Sequence, residues 1–130
     1  MITLEDVQMK HTALTLMVAA FVAASAITVL AHMKAEKMEP AADAILNAPP
    51  AKVQVWFTQA PDPKLSKIEL MGPAGAVTLS GFQVTAADKS VMAKIDAKLG
   101  AGKYTAHWQS AGDDGHVQKG SYSFSVKTTH

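Results

Sequence analysis

The chain contains neither cysteine nor arginine among its 130 residues. Without cysteine it has no disulfide, thiolate metal site, iron–sulfur cluster or cysteine nucleophile. Without arginine it lacks the guanidinium fork on which phosphate and base recognition rely heavily, so we expect no nucleic-acid binding. Aromatic residues make up only 6%, and the formal net charge is +1. The residues left for special chemistry are five histidines, eleven acidic side chains and seven methionines.

One uncharged block runs from residue 13 to residue 31 (ALTLMVAAFVAASAITVLA). Since a spanning helix needs about 20 apolar residues, an uncleaved membrane anchor is one interpretation. However, the block ends in Val29-Leu30-Ala31, which suits a signal peptidase, and the basic segment Met9-Lys10-His11 precedes it. We therefore predict a cleaved signal peptide over residues 1–31, with translation starting at Met9, and a periplasmic mature domain over residues 32–130.

Short strand-like runs separated by glycine, proline and aspartate turns fill the mature chain. Their spacing, without a long helical pattern, predicts an all-β antiparallel sandwich of about seven strands. Residues 34–46 are ambiguous, because Pro40 interrupts a helical pattern, and we predict an N-terminal strand with a bend there. The remaining predicted strands lie at residues 53–58, 67–71, 76–79, 82–85, 91–96, 103–109 and 121–127.

The segment from Leu99 to Tyr104 places a leucine, glycines and a tyrosine at the entrance of a predicted strand. This pattern is typical of the tyrosine corner of immunoglobulin-like sandwiches, although an ordinary core tyrosine would fit equally well. Both interpretations bury Tyr104, and Trp108 shares its face of the strand. His107 lies on the opposite face, where a surface histidine is the more common finding.

Asp114-Gly115-His116 places a carboxylate and an imidazole two residues apart in a predicted loop. Side chains at this spacing can converge on one ion, although Asp-Gly is also common turn chemistry. Cleavage after Ala31 would make His32 the first residue, so that its α-amine and Nδ1 could chelate the same metal. In an immunoglobulin-like sandwich the first strand starts at the end where the last loop lies. The resulting nitrogen and oxygen donors suit Cu(II).

A longer set of residues follows one order along the chain: His32, Pro40-Ala41, the run from Pro50 to Phe57, Leu99, Gly102, Tyr104, Trp108, Asp114-Gly115-His116 and Gly120. In this order they resemble the CopC family of periplasmic copper-resistance proteins. The resemblance implies a Greek-key immunoglobulin- or cupredoxin-like β-sandwich. It also implies one Cu(II) ion, bound by His32 (amine and imidazole), Asp114 and His116, and a copper-transporting inner-membrane protein as partner.

Two positions depart from the family pattern. Gln59 stands where many members carry a glutamate that assists at the copper, and a neutral amide is a poorer ligand, so we leave it out of the predicted ligand set. Residues 71–76 correspond to a methionine-rich loop of some members but contain only Met71. Because a soft-ligand site needs several sulfurs, a second, Cu(I) site is not expected. Whether Gln59 or His107 contributes to the site stays open.

The function predicted from the sequence is an exported, monomeric Cu(II)-binding protein that sequesters or delivers copper and is not an enzyme. One alternative is a copper mono-oxygenase, because a terminal histidine together with a second histidine also resembles a histidine brace. Another is a metal-free sandwich for adhesion or assembly.

Overall fold

The structure, a computed structural model, describes residues 32–128, and these residues form nine β-strands and no helix. Accordingly, this part of the chain contains no helix that could cross a membrane. The predicted signal peptide, its cleavage site and the start at Met9 lie outside the described residues, as does His130. The strands are β1 (Ala35–Glu39), β2 (Ile45–Leu46), β3 (Lys52–Phe57), β4 (Lys67–Gly72), β5 (Gly75–Val77), β6 (Leu79–Thr85), β7 (Ser90–Ile95), β8 (Gly102–Ala111) and β9 (Val117–Val126).

The strands form two sheets, one with the order β1-β3-β7-β6 and the other with the order β2-β9-β8-β4-β5. The pairs are antiparallel except for β2, which runs parallel to β9. Alternating apolar residues from both sheets meet in one core, as the period of two along β3, β4, β8 and β9 requires. The prediction of an all-β sandwich is confirmed.

Residues 34–46 form two strands in different sheets, where the sequence predicted one bent strand. β1 pairs with β3, whereas β2 pairs with β9. The chain crosses between the sheets just after Pro40, whose missing N–H cannot continue a ladder. A tight turn follows, in which Asp43 has a positive φ of 63° and its N–H donates to the Ser123 carbonyl over 2.7 Å. This crossover brings the observed strand count above the predicted one.

The core is closed by aromatic rings from both sheets. Phe57 of β3 and Trp108 of β8 form a T-shaped contact with ring centroids 5.1 Å apart and an interplanar angle of 71°. Tyr104 stacks on Phe124 at 5.6 Å, and its hydroxyl donates to the Gly100 carbonyl over 2.8 Å. That hydrogen bond back to the strand entrance identifies Tyr104 as a tyrosine corner, one of the two interpretations left open by the sequence.

Four segments meet at one end of the sandwich. The start of β1 lies beside the end of β3, because Ala35 is paired with Phe57. The turn before β7 joins them, since the Phe57 N–H donates to the Lys89 carbonyl over 2.8 Å. The segment after β3 is tied to the end of β8, where the Asp62 N–H donates to the Ala111 carbonyl over 2.8 Å. The candidate site is built on this end.

Candidate metal centre

The loop between β8 and β9 turns a carboxylate and an imidazole toward one point. Ala111 and Val117 form the last strand pair, so residues 112–116 close the hairpin. Gly115 has a φ of 71°, a backbone conformation that favours glycine, and its N–H donates to the Gly112 carbonyl over 3.1 Å. The backbone N–H of His116 donates to Asp114 Oδ1 over 3.1 Å. This hydrogen bond from the backbone to a side chain two residues earlier forms an Asx turn, which places Asp114 and His116 on the same side of the loop.

His32 is held at the same end by the residues that follow it. Met33 is only 3% exposed and belongs to the core, so the chain is anchored one residue beyond the histidine. The Lys34 N–H donates to Thr58 Oγ1 over 3.0 Å, and the Thr58 N–H donates to the Lys34 carbonyl over 2.9 Å. These contacts extend the pairing of β1 with β3 and leave His32 facing the loop.

The three residues predicted as metal ligands come together. His32 Nδ1 lies 2.9 Å from Asp114 Oδ2, and His116 Nδ1 lies 3.5 Å from the same oxygen. The two imidazole rings are 5.2 Å apart at an angle of 44°. One potential ligand atom from each residue lies within 4.8 Å of the other two. The cluster therefore joins residues 82 positions apart in the sequence.

The carboxylate of Asp114 is kept ionised by its neighbours. The backbone N–H of His116, followed by the His32 side chain, lowers the pKa of Asp114 below its ordinary value of 3.8, despite some opposing desolvation. The Asp114 side chain keeps 19% of its accessible surface, against 56% for His32 and 70% for His116. A negatively charged oxygen thus lies between two solvent-accessible imidazoles, an arrangement that a cation can enter and leave.

The donor spacing suits a single metal ion. Nitrogen and oxygen ligands lie roughly 2.0–2.2 Å from a bound divalent ion, so neighbouring donors around it are about 3–4 Å apart. The 2.9 Å and 3.5 Å separations between Asp114 Oδ2 and the two Nδ1 atoms are already close to that range. Imidazole nitrogen and carboxylate oxygen are donors that copper, nickel and zinc accept, whereas Cu(I) prefers sulfur.

Other residues considered from the sequence lie outside the cluster. His107 is exposed on β8, where its register partners are Glu69 and Ser121. Met71 is 40% exposed on β4, where its register partners are Ala76 and Thr105. Gln59 lies beside the loop, because its Oε1 accepts a hydrogen bond from the Asp113 N–H over 3.3 Å, a contact that the sequence does not predict.

Met33 belongs to the core, a role that no sequence pattern indicates. A lone methionine beyond a predicted cleavage site carries no periodic pattern that marks it as a core anchor. The sequence predicts only a strand at Thr58, whereas the structure shows its Oγ1 accepting from the Lys34 N–H, which joins segments 24 residues apart.

The described residues thus define a class of protein, a small all-β sandwich that presents two imidazoles and a carboxylate at one end. Comparison with known protein families identifies the family to which the chain belongs. The CopC domain matches residues 35–127, and the chain belongs to the CopC family.

Relatives and solved structures agree with this assignment. Copper resistance protein C of Xanthomonas campestris pv. juglandis is 35% identical over 123 residues, which span 89% of this chain and 94% of that protein. Protein YobA of Escherichia coli K12 is 32% identical over 102 residues, or 77% and 82% of the two chains.

Among solved structures, CopC from Methylosinus trichosporium OB3b shares the fold with a TM-score of 0.68 at 24% identity, covering 76% of this chain and 97% of the other. PcoC, a methionine-rich copper resistance protein from Escherichia coli, has a TM-score of 0.66 at 29% identity, with 75% and 100% covered.

Proposed function

We propose that this chain is an exported protein that binds one Cu(II) ion through His32, Asp114 and His116 and acts in copper resistance or homeostasis. The observation that carries this proposal is the convergence of the three side chains, with one ligand atom of each within 4.8 Å of the others. Two nitrogens and one oxygen suit Cu(II), which also has the highest affinity in the divalent series. The relatives named copper resistance protein C support the choice of metal.

Export would complete the site. Cleavage after Ala31 frees the α-amine of His32, which then joins its own Nδ1 in one chelate ring. The alignment with the Xanthomonas protein covers 89% of this chain, which is more than residues 32–130 occupy, so it includes part of the leader block. Similarity that extends into this block is consistent with a signal peptide and supports our proposal of a periplasmic location for the mature domain.

We further propose that the protein binds copper as cargo and catalyses no reaction. Asp114 contacts both imidazoles, so it would occupy a coordination position beside them that oxygen activation needs open. The exposed rings favour exchange of the ion with a partner, for which a copper-transporting inner-membrane protein is our proposal. In this scheme the sandwich acts as a monomer.

The test is to produce the full chain in a bacterial host and to measure the intact mass of the exported protein with and without Cu(II). We expect a mass that starts at His32 and increases by one copper ion. Affinity should then be measured by competition with a chelator, for the processed protein and for the same protein acetylated at its N-terminus. Acetylation removes the amine donor and should weaken binding by at least about 100-fold, more than loss of a supporting residue. Equal affinity of the two forms would show that the proposed coordination is wrong.

A further inference from the structure

We infer that Thr58 and Gln59 together act as a clamp that sets the distance between the two halves of the metal site. This inference rests on the proposed function for its consequence in metal binding, but the clamp itself is a feature of the metal-free protein. One half of the site is His32 on the N-terminal segment, and the other is the loop that carries Asp114 and His116. The clamp residues are adjacent in sequence and each contacts one of these halves.

Thr58 holds the N-terminal half. It uses both its backbone and its side chain, because its N–H donates to the Lys34 carbonyl over 2.9 Å and its Oγ1 accepts from the Lys34 N–H over 3.0 Å. Two hydrogen bonds to one residue fix the direction of the strand that leads from His32 into the core. The buried Met33 lies between them and the histidine, so His32 has little freedom to leave the loop.

Gln59 holds the loop half. Its Oε1 accepts the Asp113 N–H over 3.3 Å, next to the carboxylate that both histidines contact. The side chain also fills the space beside Gly112, where an added Cβ would overlap Gln59 Oε1 and lie 3.1 Å from its Cδ. Gly112 is buried, and a glycine there permits the amide to lie against the loop backbone. The amide is therefore a packing and hydrogen-bonding support of the loop.

The clamp is itself rigidly mounted. Phe57, the residue before it, is 1% exposed and donates its N–H to the Lys89 carbonyl over 2.8 Å. Pro61 is buried just after it, and the Asp62 N–H donates to the Ala111 carbonyl over 2.8 Å. Because anchors on both sides fix the dipeptide, movement of either half of the site relative to the other requires one of its hydrogen bonds to break. Thr58 and Gln59 are positioning residues and not ligands in this account.

The clamp predicts separate effects of two near-isosteric substitutions. Gln59→Met removes the acceptor for the Asp113 N–H, and Thr58→Val removes the acceptor for the Lys34 N–H. In the metal-free protein, we expect faster hydrogen exchange at the Asp113 amide in the first variant and at the Lys34 amide in the second. Each should weaken Cu(II) binding by about tenfold, the lower end of the usual effect of residues that orient metal ligands.

Gln83→Met is the matched control, because Gln83 is an exposed glutamine of β6 whose register partner is Met92. This substitution should leave the Cu(II) affinity and the hydrogen exchange of the Asp113 and Lys34 amides unchanged. Gln59→Glu retains an acceptor in the same place and should restore protection of the Asp113 amide.

A double substitution gives a second, independent test. Gly112→Ala alone should push the Gln59 side chain off the loop and weaken Cu(II) binding by more than tenfold. With Gln59→Ala in the same chain, the atom nearest the new methyl group is the Gln59 Cβ, at an ordinary 3.4 Å. The double variant should therefore bind Cu(II) no more weakly than Gln59→Ala alone. Such non-additive effects indicate direct contact between residues 59 and 112.

The inference is overturned if Gln59→Met leaves the Asp113 amide as protected as in the wild type, or if protection is lost without any change in Cu(II) affinity. Additive effects of Gly112→Ala and Gln59→Ala would also overturn it. If the wild-type protein beginning at His32 failed to bind Cu(II), the proposed function would fail, whereas the amide measurements on metal-free protein would still decide whether the clamp exists.

Discussion

At the scale of single residues, the site depends on one carboxylate that serves two imidazoles. Asp114 Oδ2 contacts Nδ1 of both His32 and His116, while Oδ1 accepts the His116 backbone N–H. The backbone bond orients the carboxylate before any ion arrives, so less ordering is needed on binding. Each histidine enters from a different segment, which makes the cluster sensitive to the loss of any single member.

His116→Ala should therefore lower Cu(II) affinity by at least about 100-fold, because loss of a ligand exceeds the roughly 10–100-fold cost of losing a supporting residue. His107→Ala is the matched control, since His107 is also an exposed histidine of the same hairpin but lies outside the cluster. Chelator competition on both variants, each beginning at His32, measures the difference. Similar losses in the two variants would show that copper is bound by exposed histidines in general.

The candidate ligands could be predicted because their signals are local. Asp114 and His116 are two residues apart, and the prediction for His32 came from a cleavage pattern immediately before it. Gln59 could not be placed in the same way. Its contact with the Asp113 N–H spans 54 positions, and no spacing rule along one chain reports which loop a glutamine will reach.

At the scale of the elements, the β8–β9 hairpin carries the loop half of the site. The two strands pair without a register shift from Gly102 opposite Val126 to Ala111 opposite Val117. Because the strand pairing is uninterrupted, the packing of the core aromatic residues also fixes the position of the loop at the end of the hairpin. Trp108 and Gly120 face each other in it, and the indole lies where a Gly120 side chain would be, 2.6 Å from Cε2 to an added Cβ.

Gly120→Ala should therefore destabilise the fold by about 1–3 kcal/mol, the usual cost of adding a methyl group to a well-packed core. The indole is not a flexible chain end that could move aside, because Trp108 is buried and packs against Phe57. Gly100→Ala is the control, as an added Cβ there meets nothing within 4 Å. Urea unfolding of both variants gives the comparison, and equal midpoints would contradict the packing argument.

Strand order and strand ends were harder to predict than the presence of strands. Alternating apolar residues located β3 and β8 well, whereas β9 begins at Val117, ahead of the predicted start at residue 121. The predicted runs 76–79 and 82–85 were divided differently in the structure, since β6 begins at Leu79 and continues through a register shift between Ser80 and Gln83. Gly81 has a φ of 57° at this irregularity, a conformation that a period-two pattern does not detect.

At the scale of the whole molecule, an ion at this site would tie the N-terminal segment to the last hairpin. These parts belong to different sheets, since β1 lies at one edge of the first sheet and β8 and β9 lie within the second. Met33 and the Thr58 bonds already hold the segment in the metal-free protein. A ligand that binds only the folded protein increases the free energy of unfolding by its binding free energy at the given concentration.

Cu(II) should consequently raise the melting temperature of the protein that begins at His32. At a free concentration 100 times the dissociation constant, binding stabilises the native state by about 2.7 kcal/mol. For a domain of this size that corresponds to an increase of about 10 °C or more. The matched control is the same domain acetylated at the His32 amine, which keeps all three side chains but converts the amine into an amide. The two proteins should melt together without metal, and at the same Cu(II) concentration the acetylated form should gain less than half the shift. An equal shift in both forms would mean that the side chains alone bind the ion and that a free amine at His32 contributes nothing to the site.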